Sequence, residues 1–597
     1  MSSTTNITCS QALLRFLANQ YVSLDGVEYP FIHGMFAIFG HGNVTGLGAA
    51  LEFDNYGIET FRGNNEQGMA HSAIAFAKQM DRLGIIPCTS SIGPGALNMV
   101  TAAGVATSNR IPLLLLPGDI FADRQPDPVL QQIEQPYDAN ITANDAFKPV
   151  SKYFDRIMRP EMLMTAAINA MRVLTCPAET GAVVLALPQD VQCERFDYPN
   201  HFFEKRVWHI DRISPSQRVL DDVIHAISQA KYPLIIAGGG AIYSKASEAL
   251  SDFASQHGIP VAVTQAGKSI LPSHHPFDVG GIGTTGTLVA NQLGKQADLV
   301  LALGTRLQDF TTASKWLFPN AQIIQVNINR MDSFKMDALS VQADVKQTLN
   351  VLTTALADYK TSNAYQSQIA SLKQLWQKEV FRCYEPWEKN GVLSQTAALG
   401  VLNQHLSAED TVICAAGSLP GDLHRLWLSK GVKDYHLEYG FSCMGYEVAA
   451  GLGVSLAKSR QQCQGNAYVV VGDGSFLMMH SELVTSLEMK KKMIIVLFDN
   501  AGFQCINNLQ CSHGSNSFKT QLSQSIDFSN YAKSLGAMTF KANSLAQLAQ
   551  ALKDAKDAAC SVLIEIKVDS DTMSSGYESW WRVAALDEPK PDTIRAY

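Results

Sequence analysis

The sequence predicts an α/β protein of three domains, each with a mainly parallel sheet flanked by helices. Short apolar runs that stop at glycine or proline alternate with helical patterns along the chain, and after each of two polar stretches the same alternation starts afresh. The 597 residues are 46% hydrophobic and 17% charged, which is material for several cores and leaves no low-complexity tract that would stay disordered.

The first domain is expected over residues 1–191. Its strands are read in FIHGMFAIFG, IIPCTS, PLLLLPGD and AVVLALPQDV, and MAHSAIAFAKQM as an alanine-rich helix. A polar stretch around residues 192–215 reads as a linker. The middle domain, Rossmann-like and expected over 216–350, has PLIIAGGG, IPVAVTQ, ADLVLALGTR and AQIIQVNIN as strands. A polar helical segment, LADYKTSNAYQSQIASLKQLWQKEV, leads into a third domain over 385–597 with strands TVICAAGS, AYVVVGDG, KMIIVLFDN and SVLIEIKV.

Several function classes are excluded early. A formal net charge of −8 gives no general attraction to nucleic acid or to an anionic membrane. The first residues, MSSTTNITCSQALLRF, lack the basic and apolar regions of a secretion signal, and the longest apolar runs, such as IPLLLLP, fall far short of a bilayer span of about 20 residues, so a cytoplasmic protein is expected. Eleven cysteines without a CxxC pair fit reduced thiols better than a disulfide framework or a zinc site. VTQAGKS contains GKS, but Ala262 stands where a phosphate loop needs its first glycine, which rules out an ATP site.

The most informative stretch is GDGSFLMMHSELVTSLEMKKKMIIVLFDN, residues 472–500. AYVVVGDG stops at its glycines, so Asp473 is expected just past the carboxyl end of a buried strand. One crossover helix follows, and the next strand ends at Asn500, 27 positions on. If the two strands are neighbours, their ends lie about 5 Å apart and a carboxylate and an amide oxygen can share one hard cation. Mg²⁺ fits such ligands and completes its shell with water and phosphate oxygens. Free backbone N–H groups at Gly472, Gly474 and the helix start then suit a metal-bridged diphosphate.

GDGS, a crossover helix and a terminal Asn at this distance resemble the binding motif of the thiamine diphosphate enzymes, with Asp499 in place of the first of two asparagines common there. The resemblance covers nearly the whole chain in the order pyrimidine-binding, middle and diphosphate-binding domain. It implies thiamine diphosphate and Mg²⁺ as cofactors, with Asp473, Asn500 and Gly502 on the metal and Gly472, Gly474 and Ser475 at the diphosphate. It also implies a glutamate that hydrogen-bonds the aminopyrimidine and promotes its ionising tautomer. NEQGMAHSA resembles that segment and supplies Glu66, with Asn65 where many relatives have histidine.

CTSSIGPGALNMVTAA resembles the family's Gly-Pro-Gly segment and puts Gly93, Gly95 and Asn98 near the cofactor. In EYGFSCMGYEVAAGLGVSLA, Met444 matches the apolar wedge between the two cofactor rings; Gly417 and Ser418 stand where relatives contact the diphosphate. Because the family builds one site from the glutamate of one subunit and the metal residues of its neighbour, the resemblance implies at least a homodimer, with pairing into a homotetramer expected. The middle-domain segments IIAGGGAIY, LALGTRLQDF and IIQVNINRMD look like those that carry FAD in acetolactate synthase relatives, yet Asn327 and Asn329 replace acidic residues often found there, which puts flavin in doubt.

IFGHGNVTGLGAALE, FRGNNEQGMAHSAIAFAKQ and the segment from Phe121 to Arg156 resemble the family's ring-opening hydrolases, which act on a cyclic 1,2-diketone in bacterial myo-inositol degradation. This implies hydrolytic cleavage of the bond between the two carbonyl carbons, giving 5-deoxy-D-glucuronate. Other readings are an acetolactate synthase-like carboligase of 2-oxo acids, a hydrolase of plain cyclohexane-1,2-dione, and an inactive cofactor-binding scaffold. Hydrating a ketone and protonating a carbanion calls for a group that exchanges protons near neutrality, and His41 in the glycine-rich loop is the candidate. Asn43, His71, Gln125, Lys152 and Gln504 are candidate substrate contacts.

Overall fold

The structure, a computed structural model, describes residues 3–386, 388–389, 392–512, 515–569, 574 and 582–583. Among these residues three large sheets carry the fold, and the chain divides into two compact units. The first holds the chain up to Asp211 together with Val448–Gln462 and Met479–Lys491; the second holds Arg212–Glu447, Cys463–Met478 and the chain from Lys492 onward. The expected third domain is therefore shared between the units, and the expected middle domain clusters with most of it.

The first unit is centred on six parallel strands in the order Thr60–Arg62, Met35–Ala37, Cys88–Ser90, Leu113–Asp119, Ala182–Pro188 and Tyr153–Arg156. Leu113–Asp119 and Ala182–Pro188 are buried at every position, as strands covered on both faces require. The helix Glu66–Gln79 is buried on most of its circumference, so small residues let a second helix close on it. Ser72 Oγ donates to the Ala449 carbonyl at 2.8 Å, and a Cβ on Gly453 would lie 2.1 Å from the Ser72 carbonyl oxygen. This packing draws Val448–Gln462 into the first unit.

The stretch around 192–215 is not an irregular linker. Arg195–Pro199 pairs antiparallel with Thr4–Thr8, and Arg206–His209 pairs parallel with Gln20–Leu24. Its aromatics explain the order: Phe202 stacks on Phe16 with ring centres 4.7 Å apart, and Tyr198 is fully buried. Frequent charges between those rings hid the pattern.

In the second unit six parallel strands run in the order Asp278–Gly281, Val261–Val263, Pro233–Ala237, Leu299–Leu303, Gln322–Val326 and Leu339–Val341. This is the doubly wound order, with its switch point between Pro233–Ala237 and Leu299–Leu303. The helix Asn363–Tyr384 buries Tyr365, Ile369 and Trp376 against one face of this sheet. The third sheet has eight strands among the described residues; Ala467–Gly472 and Ile494–Asp499 are parallel neighbours, with Gly472 opposite Phe498. The crossover between them is two helices, Asp473–Met478 and Glu482–Glu488, rather than one. Asp473 opens the first of these, where a carboxylate suits the positive end of the helix.

Candidate active site

In the second unit the neighbouring strand ends bring Asp473 and Asn500 together, as the spacing predicts. Asp473 is fully buried; the Asn500 amide oxygen lies 3.0 Å from both Asp473 Oδ1 and the Gly502 carbonyl oxygen. Three acceptors then face one another with no donor between them. Turning the amide over would place its NH₂ there, but a cation answers the same geometry without that turn and also serves Asp473 Oδ2, which is buried without a hydrogen bond. The spacing suits a cation as well as it suits a hydrogen bond, since ligands about 2.1 Å from Mg²⁺ and at right angles are about 3.0 Å from one another; it is Asp473 Oδ2, left without a partner by the turned amide, that points to a cation. Burial, reinforced by the Asp499 charge, pushes the Asp473 carboxyl up to about 7, a strain that a bound cation relieves.

Around this point the backbone leaves room. A Cβ on Gly417 (φ +102°) or on Gly472 would meet nothing within 4 Å, so open space faces both. Ser418 is the N-cap position of the helix Leu419–Leu426, whose positive end suits an anion. Gly474 lets the Phe503 ring close in, 2.8 Å from where a Cβ would stand. Met444 is partly exposed on a loop shaped by buried Glu438, whose two oxygens accept from the Phe441 and Cys443 N–H groups. Gln504 is buried at the start of the helix Gln504–Ser512 and donates to Asn508.

In the first unit Glu66 is half-buried at the first position of its helix, and Asn65 caps that helix by accepting from the Gly68 N–H. Asn98 donates to Glu66 Oε2 at 2.9 Å, and a Cβ on Gly95 would stand 3.1 Å from Oε1. Gly93 has φ +54°, and a Cβ there would lie 1.9 Å from the Gln131 carbonyl oxygen, so the segment after Phe121 crosses directly over this turn. Glu66, Gly93, Gly95 and Asn98 thus meet at the carboxyl ends of the strands. The loop carrying exposed His41 joins them, since the Gly42 N–H donates to Ser91 Oγ.

The chain matches three parts of one family: "Thiamine pyrophosphate enzyme, N-terminal TPP binding domain" over 32–139, "central domain" over 220–352 and "C-terminal TPP binding domain" over 415–566. The chain belongs to the thiamine pyrophosphate enzymes. Thiamine pyrophosphate and thiamine diphosphate are one compound. Among curated members, a protein of Clostridium tetani is 50% identical over 100% of this chain and 98% of its own length, and one of Geobacillus thermodenitrificans is 48% identical over 100% and 98%. A Clostridium perfringens protein is 50% identical over 98% and 97%. All three are named 3D-(3,5/4)-trihydroxycyclohexane-1,2-dione hydrolase.

As a thiamine pyrophosphate enzyme the chain fits its cofactor on its own residues: an oxygen triad for a metal, open glycines beside it, and a half-buried carboxylate held by Asn98. Flavin fits poorly. At the middle-domain switch point a Cβ on Gly238 would stand 2.5 Å from the Gly304 carbonyl oxygen and one on Gly240 2.8 Å from Gly304 Cα, so these glycines serve the close approach of two turns. Asn327 donates to the Thr305 carbonyl and accepts from the Asn329 N–H, while Asn329 caps the helix Arg330–Ser333.

Three candidate substrate contacts look elsewhere. His71 is completely buried, and burial lowers its pKa to about 3, so it is a neutral core residue rather than a proton-exchanging one. Lys152 precedes the strand Tyr153–Arg156, at the sheet end opposite Glu66, where it faces Glu179 at 4.0 Å. Asn43 is buried, accepts from the Gly40 N–H and donates to the Ile38 carbonyl and Thr89 Oγ1, so its amide holds its own loop. Gln125 is exposed beside Asp123.

Two buried carboxyls escaped the sequence reading. Glu482 Oε1 accepts from the Asn65 N–H and Oε2 from Thr485 Oγ1, and a Cβ on Gly68 would stand 2.4 Å from Oε1. Glu447 Oε2 accepts from Ser475 Oγ and from the Gly445 N–H. Burial pushes each up to about 7. The one signal in the sequence is an acid placed inside an otherwise apolar helix, SELVTSL and GYEVAAGLG.

Proposed function

We propose that this chain hydrolyses 3D-(3,5/4)-trihydroxycyclohexane-1,2-dione at the carbon-carbon bond between its two carbonyls, with thiamine diphosphate and Mg²⁺, in myo-inositol degradation. Near 50% identity along its full length to hydrolases of that name carries the reading, and the oxygen triad of Asp473, Asn500 and Gly502 supports the metal. When bound, thiamine diphosphate supplies a nucleophilic carbon and an electron sink. Asp473, Asn500 and the Gly502 carbonyl would hold Mg²⁺, with the diphosphate beside Gly417, Ser418, Gly472 and Gly474. Glu66, oriented by Asn98, would hold the aminopyrimidine, and Met444 would keep the two rings bent.

The reaction consumes one water. Its hydroxyl ends on one former carbonyl carbon, which becomes the carboxylate, and its hydrogen ends on the other, which becomes the aldehyde of 5-deoxy-D-glucuronate. His41, on an exposed loop fastened to Ser91 beside Gly93, serves the proton exchange. Gln125, Gln504 and the segment over Gly93 are the substrate contacts of this reading. Flavin stays doubtful in this reading, because Asn327 and Asn329 stand where acidic residues are often found and are engaged with neighbouring backbone.

Among the described residues no helix is long and apolar enough to cross a membrane, which accords with a cytoplasmic enzyme. The family's two-subunit sites support a homodimer that pairs into a homotetramer, and light scattering of the purified protein tests this. Purified protein with Mg²⁺, thiamine diphosphate and the trihydroxy diketone should lose the diketone and form an open-chain acid, while a parallel sample keeps its pyruvate. Pyruvate consumption with an intact diketone refutes the hydrolase reading in favour of a carboligase.

A further inference from the structure

Glu447 sits in a place that packing alone does not call for. It stands at the second position of the helix Tyr446–Arg460, buried, with alanine, valine, leucine and glycine filling the next positions. A leucine there would cost nothing in desolvation, whereas a buried carboxyl is costly without partners. The partners are informative. Oε2 takes the Ser475 hydroxyl at 2.8 Å and the Gly445 N–H at 3.1 Å, and the Gly445 N–H also reaches Ser475 Oγ at 2.8 Å, which closes a three-membered ring of bonds. The Ala416 amide faces the same carboxyl and favours its charged form. Oε1 is buried without a hydrogen bond.

Three stretches of chain therefore converge on one side chain: Ala416 before the open Gly417, the Met444–Gly445 bend just ahead of Glu447, and the first turn of the helix Asp473–Met478, where Ser475 stands. These segments share no regular element. Glu447 accepts from the last two at once and so ties them together. We propose that Glu447 is a positioning residue of the diphosphate half-site, which locks the Met444–Gly445 bend to the helix turn that carries Ser475 so that the wedge between the cofactor rings and the diphosphate seat are held as one rigid unit. The proposal rests on the reading of this half-site as the thiamine diphosphate site.

The test is cofactor affinity, measured by calorimetric titration of the full-length protein with thiamine diphosphate at fixed Mg²⁺, beside the melting temperature of the cofactor-free protein. Glu447→Gln keeps an oxygen that accepts both donors and should hold affinity within about threefold. Glu447→Asp is one methylene shorter, cannot reach Gly445 and Ser475 together, and should weaken binding by about tenfold or more. Ser475→Ala removes one donor from a well-packed place and gives a second reading of the link, a loss of about threefold. Cofactor-free melting temperatures should stay near the wild-type value for the Gln variant.

Asp and Ala variants that bind as tightly as wild type overturn the assignment alone. So does equal loss in the Gln and Asp variants that tracks their melting temperatures, since that marks a general folding role. A wild-type chain that binds no thiamine diphosphate overturns the cofactor reading and the assignment with it.

Discussion

Glu482 offers a quantitative test of how the pyrimidine half-site is held. Its carboxyl is fully buried against the first turn of the Glu66 helix, and burial raises its pKa from an ordinary 4.5 to about 7. A tenfold change in proton affinity is worth about 1.36 kcal/mol, so the rise from 4.5 to about 7 is worth at most about 3 kcal/mol. The sign follows from the folded value lying above the unfolded one. The protonated acid's contribution to stability is complete below pH 4.5, falls as pH rises toward 7, and is gone above it.

Glu482→Gln removes this dependence while keeping the shape. The amide oxygen still accepts from the Asn65 N–H, and the amide nitrogen can donate to Thr485 Oγ1. Melting temperature followed by circular dichroism from about pH 5 to about pH 8 should show the wild type losing ground to the variant. About 2.5 kcal/mol of this contribution is lost between pH 5 and pH 8, and at about 2–4 °C per kcal/mol for a unit of this size the gap should open by about 5–10 °C. Groups common to both proteins cancel in the comparison. Parallel curves for variant and wild type would refute the argument, because they would mean that the Glu482 carboxyl titrates alike in folded and unfolded chains.

Three further outcomes are expected. Glu66→Gln should bind thiamine diphosphate but turn over about 10²- to 10⁴-fold more slowly in the diketone assay; undiminished turnover removes Glu66 from the chemistry. Asp473→Ala takes away one of three converging oxygens, so the Mg²⁺ needed for half-maximal cofactor binding should rise by about tenfold or more. Arg156→Met strands the Asp119 carboxylate, which is completely buried and bound to Arg156 Nε at 2.7 Å, and also frees Asp145 and Thr142. Loss of such a buried partner costs about 3–5 kcal/mol, readable by denaturant melting, and limited proteolysis should then cut the segment after Phe121 sooner than in wild type.

What the sequence made legible and what it concealed separate along a physical line. The approach of Asp473 to Asn500 is legible because strand and crossover lengths are set by backbone geometry, and neighbouring parallel strands must bring their carboxyl ends together. Glu66 comes forward through a resembling segment, and its place at a helix start beside an asparagine cap and a glycine turn is legible because these are local features. Residues whose role depends on what crosses over them stayed hidden. Nothing near Gly93 in sequence announces the Gln131 carbonyl, 38 positions away, and nothing near Asn65 announces Glu482, with |i−j| = 417. His71 misled for the same reason: close to Glu66 in sequence, it lies five positions along the helix, on a face turned into the core. The two missed glutamates show what periodicity overlooks. An acid within an apolar helix looks like a blemish in the pattern, yet folding buries it only where partners wait, and in both places the partners are backbone N–H groups and hydroxyls flanking residues of the candidate site.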